Sequence, residues 1–108
     1  MKCIRQGDVL LKPTAIPADA GRVAVRPIAL GESTGHHHSL MSNVVERPIE
    51  DLVEMYERDG LTYVRVAGEP GDVSLVHQQH KAHTVPPAEY VYIPQVENSD
   101  WGTKLVVD

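Results

Sequence analysis

The stretch "RPIEDLVEMYERDGLTYVRVAG", Arg47 to Gly68, can be read in two ways, and the choice decides the fold class. As a helix it would open with Pro48 at the first helical position, carry its acids in the first turn and stop at Gly60. As a hairpin it would turn at Asp59-Gly60, a dipeptide suited to two-residue turns. The chain would then continue into "LTYVRV", which is β-branched, aromatic and alternating in polarity. The hairpin reading is the one adopted, over roughly Val53 to Val66, with a helical turn near Pro48 to Asp51.

Outward from this segment the chain keeps the same character. Upstream, "GDVLLK" (Gly7 to Lys12) is a short apolar run closed by Pro13, and "RVAVR" (Arg22 to Arg26) alternates with period two before Pro27. Between them "PTAIPADAG" has the proline and small residues of a surface connection, and Thr34-Gly35 is a turn feeding a third strand from His36. Downstream, "EPGD" (Glu69 to Asp72) is turn chemistry and "VSLVH" (Val73 to His77) a strand. A loop, "QQHKAHTVPPAE", then precedes "YVYIPQV" (Tyr90 to Val96), where Tyr90 and Tyr92 share one face and Val91 and Ile93 the other. Short strands with frequent turns predict an all-β domain, a small barrel or sandwich with one short helical turn, occupying residues 1–108 as a single unit.

The totals narrow the function. A net charge of −5 repels long DNA or RNA, yet leaves room for a small nucleotide in a local pocket. No apolar run is long enough to span a bilayer and "MKCIRQGDVL" is unlike a signal peptide, so a soluble cytoplasmic protein without membrane partners is expected. The single Cys3 cannot form an internal disulfide and is expected to be a small buried hydrophobe. Six histidines are the more telling count.

In "TGHHHSL" (Thr34 to Leu40) the extended chain would set His36 and His38 on one face, with Cβ atoms about 6–7 Å apart, and send His37 to the other. In "HQQHKAH" the histidines His77, His80 and His83 recur every third residue, so a joint site requires a turn after His77. His36, His38, His77 and His80 then suit two chemistries. As nitrogen ligands about 2.0–2.1 Å from a divalent metal such as zinc, all four would make a closed structural centre, whereas three would leave a position for activated water. Without metal, a neutral imidazole could take a proton while a protonated one donates to a leaving oxygen. Phosphodiester cleavage in a small linear or cyclic nucleotide suits such a pair, with Lys81 or Arg65 to stabilise the developing charge and Thr34, Lys81 and Tyr90 to bind substrate. The plainer alternatives are solvated histidines, core tyrosines including Tyr90 and Tyr92, and a Glu32 that is simply exposed.

Taken together, "RQGDVLL" (Arg5 to Leu11), "GESTGHHH" (Gly31 to His38), "LVHQQH" (Leu75 to His80) and "VPPAEYVYIPQVE" (Val85 to Glu97) resemble a family of short bacterial and phage proteins of uncharacterised activity. The family's Gly-Glu-x-Thr-Gly-His-x-His pattern falls on Gly31, Glu32, Thr34, Gly35, His36 and His38, and its second pair on His77 and His80. Gln78 and Gln79 stand where the family carries acids, which leaves no intervening carboxylate to act, and Ala88 replaces a turn glycine. The resemblance thus implies the same four histidines that spacing selects. The expectation is a histidine-site hydrolase. The alternatives are a metal-binding or nucleotide-sequestering module without turnover, and a structural β domain assembling into a homo-oligomer through edge strands.

Overall fold

The computed structural model describes residues 2–30, 37–94, 96–99 and 102–105. In chain order the elements are β1 (Ile4–Gln6), β2 (Val9–Pro13), β3 (Gly21–Val23), β4 (Ala29–Leu30), β5 (His37–Ser42), α1 (Ile49–Leu52), β6 (Val53–Arg58) and β7 (Leu61–Val66). They are followed by β8 (Val73–His77), β9 (His80–Thr84), β10 (Ala88–Pro94), β11 (Val96–Ser99) and β12 (Gly102–Leu105).

The Arg47–Gly68 segment contains one helical turn and then the hairpin. Pro48, extended at φ −67° and ψ 158°, precedes α1, and the chain returns to extended geometry at Val53 with φ −135°. The turn stops there because Val53 is β-branched and begins an alternation that a helix could not bury. Asp59 and Gly60 both have positive φ, 51° and 81°. That is the two-residue turn whose twist matches its flanking strands. The register it sets, from Arg58 opposite Leu61 to Val53 opposite Val66, places Val53 and Met55 with Val64 and Val66 on the buried face. On the outer face Arg65 donates to Glu54 of β6 at 2.8 Å and to Glu89 of β10 at 2.8 Å. Polarity alternation therefore selects which face meets solvent.

Two antiparallel sheets pack face to face. The larger has the order β1-β2-β10-β7-β6-β3 and the smaller β4-β5-β8-β9, with β11-β12 a separate ribbon. Val9 and Leu11, Leu40, Met55, Val64, Leu75 and Tyr90 interlock in one core drawn from both sheets. Each fully buried aliphatic side chain contributes about 1.5–3 kcal/mol. The all-β expectation holds, and the open sheets make it a sandwich-like domain rather than a closed barrel. No helix among the described residues is long and apolar enough to cross a membrane.

Three expectations are corrected. Gln78 to Glu89 is not a loop: Gln78-Gln79 turns the chain and β9 returns along β8. Its residues are mostly exposed, so no buried face wrote a period-two pattern into the sequence. The strand expected at Arg22–Arg26 ends at Val23. Cys3 is exposed rather than buried.

Candidate functional site

Three neighbouring strands bring three histidines together. In the β5–β8 ladder Leu40 lies opposite Leu75. Alternation then puts His38 on the face of Leu40 and His77 on the face of Leu75, at the same end of the sheet. Across β8, Leu75 pairs with His83, and continuing that register would set Lys81 opposite His77. A bulge gives β9 one extra residue, and His80 is the partner of His77 instead. The ring centroids are 4.3 Å apart for His38 and His77, 4.5 Å for His77 and His80, and 5.8 Å for His38 and His80. One ring nitrogen from each lies within 4.8 Å of the others.

The connection between β1 and β2 closes the site from the larger sheet. Gly7 has φ +58°, and a Cβ there would lie 2.8 Å from His80 Nε2 and 3.3 Å from His38 Cε1. Glycine is required both for the left-handed backbone and for the close approach. On either side of it, Gln6 and Asp8 reach His38.

Gln6 is 1% exposed, and its amide nitrogen donates to the carbonyls of Leu75 at 2.9 Å and Lys81 at 2.8 Å. With both amide hydrogens engaged, Gln6 Oε1 faces His38 Nδ1 at 2.9 Å and must accept from it. His38 Nδ1 therefore carries a proton. Its other nitrogen, Nε2, lies 3.0 Å from Asp8 Oδ1. An unprotonated Nε2 and a carboxylate would present lone pairs to each other, so the contact calls for a proton or a cation. Burial holds the His38 pKa below its ordinary value, against the pull of Asp8, and His80 and His37 act in the same direction as burial. His77 is oriented differently: its Nδ1 accepts from the Gln79 backbone N–H at 3.0 Å. Tyr92, half-buried on β10, has its phenol pKa raised by burial and then by Asp8.

Of the residues selected from sequence, His38, His77 and His80 come together, while His36 and Thr34 lie outside the described residues. Lys81 is exposed beside His80 and contributes its carbonyl to Gln6. Tyr90 is a core residue, 0% exposed, with its hydroxyl donating to the Pro86 carbonyl at 2.6 Å. Arg65 belongs to the Glu54–Glu89 ladder of the larger sheet. His37 points away from the cluster as alternation requires, its ring meeting Ser39 Oγ. Gln6, Gly7 and Asp8 were not foreseen as site residues. The available signal was "RQGDVLL", whose glycine separates two polar side chains between short strands.

Residues 5–95 match a family model described as Domain of unknown function (DUF8820). Neither the curated proteins nor the solved structures contain a match.

Proposed function

On the premise that the chain belongs to the family described as Domain of unknown function (DUF8820), we propose that it is a metal-dependent hydrolase. In this reading His38, His77 and His80 hold a divalent transition metal such as zinc, and Asp8 faces the ion. The observation that carries it is the fixed orientation of His38, whose Nδ1–H is given to a locked Gln6 oxygen and whose Nε2 faces a carboxylate, in a cluster where one nitrogen from each of three imidazoles lies within 4.8 Å of the others. Metal-ligating histidines commonly have their second nitrogen bound in this way. Zinc bonds of about 2.0–2.1 Å need ligand atoms about 3.3 Å apart, so modest ring rotations would complete the set.

Three protein nitrogens leave a coordination position for water. The reaction we propose is hydrolysis of a phosphodiester in a small nucleotide, linear or cyclic. The activated water would give one proton to Asp8 and form the new P–O bond. The ester P–O bond would break and the leaving alkoxide would take a proton, with Tyr92 as a donor beside Asp8.

One hydrogen bond favours a second reading. While Gln79 N–H donates to His77 Nδ1, the neutral ring keeps its proton on Nε2. Metal would have to displace that N–H or turn the ring. In a metal-free mechanism a protonated His38, held between Gln6 and Asp8, would be the acid and a neighbouring neutral imidazole the base.

The test is metal analysis of the purified protein, followed by turnover of a panel of linear and cyclic nucleotides with and without chelator. Stoichiometric metal and chelator-sensitive cleavage support the first reading, and cleavage that survives chelation supports the second. Binding with no product from any substrate would replace both with sequestration.

A further inference from the structure

β1 and β9 run side by side, tied where Gln6 donates to the Lys81 carbonyl at 2.8 Å. On one side of that tie Gly7 meets His80 and Asp8 meets His38, forming the histidine site. On the other side the same two strands border a cleft of about 570 Å³, a size usual for small-molecule sites. Its lining includes Lys2, Arg5, His83 and Thr84, with Ile4 and Pro86 as apolar surface, and no described carboxylate. In a chain of net charge −5 this is a local concentration of cationic and hydrogen-bonding groups.

The bulge in β9 connects the cleft to the site. Directly paired residues share a face, so His83 opposite Leu75 and His80 opposite His77 lie on the same face although three residues apart. In a regular strand they would alternate. Because the bulge sets three steps of β9 against two of β8, their separation along the sheet is about 7 Å at some 3.3 Å per residue of β8, a distance that a mononucleotide can span. Arg5 is held toward the site by its Nε, which donates to the Gly7 carbonyl at 3.4 Å.

We propose that this cleft binds a small phosphate ester, with the phosphate held by Lys2, Arg5 and His83 and the organic part lying against Ile4 and Pro86. The assignment of the cleft as the substrate's anchoring end rests on the hydrolase reading, whereas phosphate-ester binding in it does not. A guanidinium and an ammonium suit a phosphate through charge-assisted hydrogen bonds.

Cys3 provides the measurement, because it is the chain's single thiol, is exposed and lines the cleft. The rate of Cys3 alkylation by N-ethylmaleimide, followed by intact-protein mass, would be measured with AMP and with adenosine. AMP should slow alkylation and adenosine should not. In a Lys2→Gln, Arg5→Gln double variant of unchanged melting temperature, half-protection should require roughly tenfold more AMP. His80→Gln should leave protection intact. Absence of protection by AMP, equal protection by adenosine, or unchanged protection in the double variant would each overturn the proposal. Protection without turnover of any nucleotide would leave the cleft standing and remove the hydrolase reading, and turnover without protection would do the reverse.

Discussion

Gly7→Ala is the most informative single change, because it separates backbone strain from damage to the histidine site. Two glycines offer the comparison. Gly7 and Gly60 both have positive φ, +58° and +81°, but a Cβ at Gly60 meets nothing within 4 Å, whereas at Gly7 it lies 2.8 Å from His80 Nε2. The left-handed conformation costs an L-residue roughly 1–2 kcal/mol. For a domain of this size each kcal/mol lowers the melting temperature by about 4–8 °C. Gly60→Ala should therefore lose about 4–16 °C and leave the histidines untouched. Gly7→Ala should lose at least as much and also push the His80 ring out of its position beside His77. If the three imidazoles bind metal, that displacement should weaken zinc binding by about 10–100-fold, the range for disturbing a ligand's support. Calorimetric melting gives the first quantity and competitive titration with a zinc indicator the second, while the His80 Hε1 resonance reports the ring without metal. Equal zinc affinity in the two variants, with an unmoved His80 resonance, would refute the argument that Gly7 packs as a wall of the site.

Other expectations follow from the same geometry. Gln6→Leu removes the partner of two carbonyls and of His38 Nδ1, so it should cost about 1–3 kcal/mol by denaturant unfolding; a neutral result would mean the amide lock does not hold His38. In metal-free protein, the lowered His38 pKa means that the unfolded chain binds more protons just below the unfolded value of about 6.5. Stability present above that value should thus fall as pH drops through the folded pKa, and His38→Gln should flatten this part of the melting-temperature profile; an unchanged slope would show that another group is responsible. Zinc at a hundredfold excess over its dissociation constant should stabilise the protein by about 2.7 kcal/mol, and His38→Gln should remove most of that gain; stabilisation that persists would place the metal elsewhere. Leu75→Ala, at the centre of β8, should cost about 2–5 kcal/mol in a chemical-denaturation curve, since Leu75 is fully buried in the shared core.

The smaller sheet's edge is polar. β9 is mostly exposed and contributes little to the core. Its value lies in what it presents: His80 to the histidine cluster, the Lys81 carbonyl to Gln6, and His83 with Thr84 to the cleft. An edge strand with such side chains is also poorly suited to pairing with another copy of the chain.

Local chemistry in the sequence determined the hairpin and the short helical turn. Asp59-Gly60 can take two positive φ values where most dipeptides cannot, and the alternation on each side leaves one buried face for Val53, Met55, Val64 and Val66. That His38, His77 and His80 could share a site was expected on two conditions: a turn after His77, which Gln78-Gln79 supplies, and a fold that joins the two stretches, which the β5–β8 pairing supplies. Tertiary structure alone decided the rest. The bulge that aligns His80 with His77 depends on the register between two strands, which spacing along one strand cannot state. Gln6 and Asp8 became partners of His38 because the two sheets meet at their edges, more than 25 residues apart in sequence, as the 32-residue and 30-residue separations of these contacts show. Tyr90 went to the core for a similar reason: alternation told which residues share its face, and only sheet packing told that this position would be closed to water.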